Sequence, residues 1–158
     1  MGLLAGLVLY HLASVFLFAP IIVPVFSPYD GHEIVEMVDA ADSSIDIEVY
    51  AFTSRDIVEA LERARMRGVR IRIILDDISR EMHDELLSKG FNVRYAPKAY
   101  KTTHSKIMIV DGKTLLVGSH NFSNSALYKN REASVIIADG ETVKEFIEEF
   151  EIDWMLSI

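Results

Sequence analysis

Apolar and polar positions follow two rhythms between residues 20 and 158. Runs of branched apolar residues, continuous or alternating with polar ones, predict strands over Ile45–Phe52, Val69–Leu75, Phe91–Tyr95, Lys106–Val110, Thr114–Val117 and Ala133–Ala138. Ile21–Phe26 reads as an edge strand, the place in a sheet where Pro24 is tolerated. Helical spacing fills the gaps. Asp30 is positioned to cap a helix through Ala41, with Ile34, Val35 and Val38 on one face. Ser54 caps a helix to Arg67 that Gly68 ends, and Gly90 closes a shorter one over Arg80–Ser88. Thr142–Met155 carries Val143, Phe146, Ile147, Phe150 and Trp154 as one apolar stripe. Asp111-Gly112, between two strands, is a hairpin signal. Strands alternating with helices predict an α/β layered sandwich, and the hairpin makes it a mixed β-sheet flanked by helices. No second domain, linker or internal repeat is evident.

Residues 1–19 depart from this rhythm. Gly2–Phe26 contains no charged side chain except His11 when protonated, and no Lys or Arg precedes Arg55. Pro20 and Pro24 stop a helix near Ala19, which leaves Leu3–Ala19 about 25 Å long, at the short end for a bilayer. Three readings stand: a membrane anchor, a signal peptide, or a segment packed on the domain or on a partner. The missing basic start argues against a signal peptide, and without flanking cations an anchor has no assigned orientation. The favoured reading is an apolar anchor over residues 1–19 and a folded domain over 20–158. The expected location is then membrane-anchored or exported, and otherwise cytoplasmic.

Composition narrows the chemistry. The chain has 158 residues and no cysteine, which removes disulfides, cysteine-zinc sites and thiol nucleophiles. It also has no glutamine, a weak lean towards a heat-adapted source. The net charge of −8 argues at first against nucleic acid, but the charge is segregated. From Pro97 to Arg131 the bases are Lys98, Lys101, Lys106, Lys113, Lys129 and Arg131, and the only acid is Asp111. From Glu132 onward eight acids face Lys144 alone. A basic face on an acidic protein can hold a phosphate backbone, and ordinary surface variation gives the same pattern about as often.

The stretch that carries chemistry is His104-Ser105-Lys106 through Asp111, followed by Gly118-Ser119-His120-Asn121. Residues two apart on a strand face one side, so His104 and Lys106 point together. An imidazole beside a fixed ammonium is a poor metal-ligand set. It suits phosphate, because the cation neutralises nonbridging oxygens while a neutral imidazole attacks phosphorus. The hairpin returns Ser119 and Asn121 to the same edge, where a hydroxyl and an amide can hold phosphate oxygens. Other candidates are weaker. Asp76 and Asp77 read as a strand end rather than a metal pair. His32 and His83 read as surface residues. His120, at the variable position of the motif, is a minor candidate for substrate contact.

The spacing H-x-K-x4-D-x6-G-S-x-N resembles the phospholipase D superfamily. Six specified positions at fixed spacing arise by chance on the order of once in a million chains this long. Val49–Thr53 resembles that family's first inner strand, and Asn130-Arg131-Glu132 the segment that supplies an acidic partner to the catalytic histidine. The likeness runs from about Ile21 to Trp154 and is strongest to the small single-motif members, bacterial nonspecific endonucleases and Zucchini-type proteins. The cysteine zinc insert of some relatives is absent.

The resemblance implies a metal-independent phosphodiesterase without cofactor. His104 would form a phosphohistidine, and His104 of a second subunit would protonate the leaving oxygen, so that a homodimer completes the site. Lys106, Ser119 and Asn121 would bind phosphate. Glu132 would accept a hydrogen bond from the far nitrogen of His104 and set its tautomer. Asp111 belongs to the catalytic motif, and its place at the hairpin suggests that it braces Lys106. Two substrates fit: nucleic acid, favoured by the basic stretch and by Tyr95, Tyr100 and Tyr128 for stacking, and phospholipid, favoured by an anchor over residues 3–19. A nucleic-acid binder that has lost catalysis is the third reading, and the intact His104, Lys106, Asn121 and Glu132 argue against it.

Overall fold

A computed structural model describes residues 20–158. The apolar segment 1–19, with its anchor reading, lies outside the described residues. The strands are β1 (Ile21–Phe26), β2 (Ser44–Val49), β3 (Arg70–Leu75), β4 (Asn92–Tyr95), β5 (Lys106–Val110), β6 (Thr114–Gly118) and β7 (Ala133–Ala138). The helices are α1 (His32–Asp39), α2 (Arg55–Met66), α3 (Arg80–Ser88), α4 (Asn124–Tyr128) and α5 (Gly140–Leu156). The strands form one seven-stranded sheet in the order β1-β7-β6-β5-β2-β3-β4. Pairs from β1 to β2 are antiparallel, and β2-β3-β4 is parallel, so the sheet is mixed as expected.

Alternation divides the sheet into two layers. Ile45, Ile47, Val49, Ile71, Ile73, Met108 and Leu116 face one side, covered by α1, α2, α3 and α4 through residues such as Ile34, Ile57, Leu61, Leu86 and Leu127. Ile74, Ile107, Ile109 and Leu115 face the other, covered by Val143, Phe150 and Trp154 of α5. Charge enters this second layer in paired form. Arg72 donates to both oxygens of Asp46 on β2 and to both of Glu151 on α5, at 2.6 to 3.0 Å. Its guanidinium also stacks over Phe150 and Trp154. A half-buried cation with four acceptors and two aromatic faces is fully compensated, and it ties α5 to the sheet.

The element ends follow local chemistry. Ser54 accepts from the Ile57 amide at 3.4 Å and caps α2, and Gly68 leaves it at φ 90°. Asp139 caps α5 through Thr142. Asp30 does not cap α1. Its carboxylate accepts from the Phe26 amide at 3.1 Å and closes the turn after β1, so the helix starts later, without a side-chain cap. The predicted strand over Ile45–Phe52 stops at Val49, and Phe52 meets Phe122 only in an isolated bridge. A 3-10 turn at Asp77–Ser79 and the five-residue α4 are too short to show a period.

Candidate active site

One end of the sheet gathers His104, Lys106, Ser119 and Glu132. The register sets Lys106 opposite Val49, Ile107 opposite Val117 and Gly118 opposite Ser134. The segments leaving β2, entering β5, leaving β6 and entering β7 therefore share one edge. Gly118 permits the close approach there, because a Cβ on it would lie 2.2 Å from Ser134 Oγ and 2.5 Å from the Ala133 carbonyl.

Lys106, the first residue of β5, is buried, whereas His104 is exposed. The ammonium donates to the His104 carbonyl at 2.7 Å and lies 3.0 and 3.3 Å from the two ring nitrogens of His104. Burial lowers its pKa from the ordinary lysine value, and the nearby Glu132 offsets this in part. Tyr50 forms the wall behind both residues. Its ring is 4.6 Å from the His104 ring and 5.2 Å from the Lys106 ammonium. Flanking bonds fix the strand entry: Thr103 N–H donates to Asp76 at 3.0 Å, and Tyr50 N–H donates to the Ser105 carbonyl at 3.0 Å. Asp76 also caps the following 3-10 turn, in line with its reading as a strand end.

Across the edge, Ser119 Oγ donates to Glu132 Oε2 at 2.6 Å and accepts from the Ala133 amide at 3.0 Å. Asn130 Nδ2 donates to the other oxygen of Glu132 at 3.0 Å. Burial alone would raise Glu132, but these two donors, with His120 and Lys106 nearby, outweigh it and hold the carboxyl below its ordinary range. The expected bond from His104 to Glu132 is not formed: the Glu132 oxygens accept from Ser119 and Asn130, and the His104 ring lies against the Lys106 ammonium. Asn121 Oδ1 is buried and has no donor among the described residues, a free acceptor at the same edge.

Three further expectations change. Asp111 is not beside Lys106. It lies past the opposite end of β5, at φ 56°, where its carboxylate accepts from the amides of Asp42, Ser43 and Ser44 and from the Ser43 hydroxyl. His120 is buried between two hydroxyls, Ser27 Oγ at 2.7 Å and Ser134 Oγ at 2.6 Å, and burial lowers its pKa. It pins the end of β1 to β7 and offers no face to a substrate. His83 is buried too, stacked on Tyr95 with ring centroids 3.7 Å apart. Sequence reasoning missed Tyr50 as a site residue, although the segment containing it was recognised.

The described arrangement supplies one exposed imidazole, one buried ammonium and one hydrogen-bonded carboxylate. That set can hold a phosphate and deliver one nucleophile. Comparison with known proteins agrees. Residues 34–154 match the family model described as "Cardiolipin synthase, PLD-like domain". The mitochondrial cardiolipin hydrolase of Mus musculus is 38% identical over 119 residues, 73% of this chain and 53% of that protein. A phospholipase D of Rickettsia felis is 32% identical over 121 residues, 73% of this chain and 59% of that protein. The chain thus spans between half and two thirds of the length of these curated relatives. Nuc from Salmonella typhimurium, a phospholipase D family member of known structure, superposes with a TM-score of 0.81 at 28% identity, covering 88% of this chain and 97% of that one. Together the edge geometry and the matched span identify the chain as a member of the phospholipase D-like superfamily of phosphodiesterases.

Proposed function

We propose that this chain is a metal-independent phosphodiesterase acting as a two-fold dimer, with nucleic acid as its substrate. The observation that carries the reading is the pairing of exposed His104 with the buried Lys106 ammonium, 3.0 Å away, at an edge with one such histidine per chain. In the first half-reaction a neutral ring nitrogen of His104 attacks phosphorus. The bond to the leaving oxygen breaks, and that oxygen takes a proton from His104 of the second copy. In the second half-reaction the second histidine takes a proton from water. The resulting hydroxide displaces the phosphoryl group, which leaves a phosphomonoester and both histidines as they began. The Lys106 ammonium and the Asn121 side-chain N–H of each copy donate to the nonbridging oxygens, and the bonds from Ser119 and Asn130 keep Glu132 charged beside them. Asp111 acts at a distance, by holding the far end of β5.

The preference for nucleic acid rests on charge at the rim. Exposed Lys98 and Lys101 precede His104, and exposed Lys129 and Arg131 precede Glu132. The ion pairs among the described residues involve none of these four. Cations of this kind follow a phosphate backbone. Phospholipid is the second reading. The uncharged start of the chain, the exposed Ile21, Ile22 and Phe26, and the names of the curated relatives favour it.

The test is cleavage of plasmid DNA, single-stranded DNA and RNA in excess EDTA, with His104→Ala alongside. Cleavage that survives EDTA and is lost in the variant supports the proposal. A folded dimer that cuts no nucleic acid but hydrolyses cardiolipin vesicles would move the assignment to lipid. Equal activity in His104→Ala would overturn both readings.

A further inference from the structure

Directly behind the motif, on the α5 face of the sheet, lies a carboxylate that the mechanism does not use. Glu48, in the central strand β2, is only 3% exposed. It stands between Ile74 on β3 and Ile107 on β5, both apolar. Its side chain opens into a cavity of about 410 Å³ lined also by Ser105, Phe146, Phe150 and Asp153. Ser105 is the residue between His104 and Lys106, and it lines this cavity whereas they do not.

Among the described residues no cation pairs with Glu48. On this face Arg72 is taken by Asp46 and Glu151, and Arg94 donates to the Trp154 carbonyl. From the same strand Asp46 is already paired. From α5 the groups lining the cavity are Glu145, Glu148, Glu149 and Asp153, all acidic. From the loop before β5, Tyr100 approaches Asp153 and Ser105 approaches Glu48. Among the described residues no three acids or histidines are grouped as ligands of a cation would be. The remaining compensation is a proton. Asp153 Oδ1 is buried and has no donor among the described residues, and the carboxyl beside it is Glu48.

We propose that Glu48 and Asp153 share one proton and form a latch on the reverse face of the sheet, which holds Ser105, and through it His104 and Lys106, in position for the phosphodiester reaction. Glu48 donates to Asp153, and its other oxygen faces the Ser105 hydroxyl. The tie joins α5, β2 and the entry to β5 at one point. Burial is the main force that pushes the Glu48 carboxyl up to about 7. Ser105 works against it, and Asp153 adds to it. The latch is therefore closed in mildly acidic solution. It opens as the second carboxylate charges and the two acids repel. Glu48 and Asp153 are positioning residues, since neither touches the reacting atoms.

This inference rests on the phosphodiesterase reading, and its test has an arm that does not. The first arm is the pH profile of kcat and KM for bis(4-nitrophenyl) phosphate from pH 5.5 to 9, with the wild-type chain, Glu48→Gln and Glu48→Ala. Glutamine keeps a donor for Asp153 at every pH. The expected wild-type profile loses kcat above pH 7 with KM little changed, Glu48→Gln lacks that component of the alkaline loss, and Glu48→Ala is reduced about tenfold throughout, within the range that small misplacements of a catalytic group produce. Superimposable wild-type and Glu48→Gln profiles would overturn the latch. The second arm needs no activity: carbon-13 titration of the Glu48 carboxyl, and hydrogen exchange at the Ser105 and Lys106 amides. A titration near neutrality, with exchange above pH 7 that rises more steeply with pH than the intrinsic rate in wild type but not in Glu48→Gln, supports the latch even if no phosphodiester is cut. A Glu48 that titrates with ordinary carboxyls overturns it even if catalysis is intact.

Discussion

Replacing Asp111 with alanine tests whether this motif residue serves stability or chemistry. Burial alone would raise its carboxyl, but the amides of Ser44, Asp42 and Ser43 and the Ser43 hydroxyl overcome that and hold it down to about 2, against 3.8 ordinarily. Each tenfold in proton affinity is about 1.4 kcal/mol, so the preference for the charged form is roughly 2.4 kcal/mol before screening. The bonds lie near the surface, and solvent reduces this to about 1–1.5 kcal/mol. Asp111 also has φ 56°, a left-handed conformation that costs alanine about 1 kcal/mol more. Asp111→Ala therefore loses about 2–2.5 kcal/mol, a fall in Tm of roughly 4–10 °C for a domain of this size. Asparagine tolerates the backbone and keeps an acceptor, so Asp111→Asn loses about 1 kcal/mol. The sign with pH follows from the lowered value. The contribution is present above about pH 4 and disappears as pH falls towards 2, so the gap between wild type and Asp111→Ala narrows there to the backbone cost of about 1 kcal/mol. Melting followed by circular dichroism at pH 7 and at pH 2.5, with kcat measured well below both transitions, checks this. Unchanged melting at pH 7, or a loss of kcat beyond about tenfold in folded Asp111→Ala, would refute the assignment of Asp111 to the α1-β2 connection and restore a role beside Lys106.

Other outcomes follow from the same geometry. His104→Ala should lower kcat by about a thousandfold or more, with an unchanged far-ultraviolet spectrum because the ring is exposed. Lys98→Ala and Lys101→Ala should each reduce the slope of log affinity for DNA against log salt by about 1, and an unchanged slope would remove the rim from the binding track. Glu48 is raised from 4.5 to about 7, so its stabilising neutral form is fully present below about pH 4.5 and is lost as pH rises through 7. Glu48→Gln should consequently gain up to about 3 kcal/mol over wild type at pH 8 and little at pH 4.5, measured by urea denaturation. On the proposed shared site, specific activity should fall on dilution, and activity strictly proportional to protein concentration down to nanomolar levels would count against a dimer.

The sequence carries the site edge because the edge is built from short-range regularities. His104 and Lys106 are two apart on a strand, and the Asp111-Gly112 turn, with φ of 56° and 62°, returns Gly118 and Ser119 beside them. What was not legible depends on partners far along the chain. His120 is buried because Ser27, 93 positions away, and Ser134 receive its two nitrogens. His83 looks like a surface residue until α3 packs it against Tyr95. Arg72 reads as a polar position in a strand, and only the parallel register with β2 and the crossing of α5 reveal Asp46 and Glu151 as its partners. Glu132 was assigned to His104 by resemblance, whereas β6-β7 pairing brings Ser119 to it first.

That last difference bears on how a half-site becomes a whole one. In a single chain the edge carries one ammonium, Lys106, and one carboxylate, Glu132, whose charge is fixed by Ser119 and Asn130. Its net charge is close to zero, which is a weak attractor for a phosphodiester anion. Bringing two copies together on a two-fold axis does not change that sum by itself. What changes is where the charges lie. The carboxylates are held back by hydroxyl and amide bonds at the β6-β7 side, while the ammoniums stand beside the exposed imidazoles. On the proposed two-fold dimer, an anion seated between two such edges would lie within reach of both ammoniums, and where the facing copies exclude water each unit of charge would count for more. The Ser119–Glu132 bond then has a definite purpose on the proposed mechanism: it keeps the nearest negative charge away from the phosphate. Ser119→Ala should release that carboxylate and raise KM more than it lowers kcat, whereas a hydroxyl that bound the transition state itself would lower kcat instead.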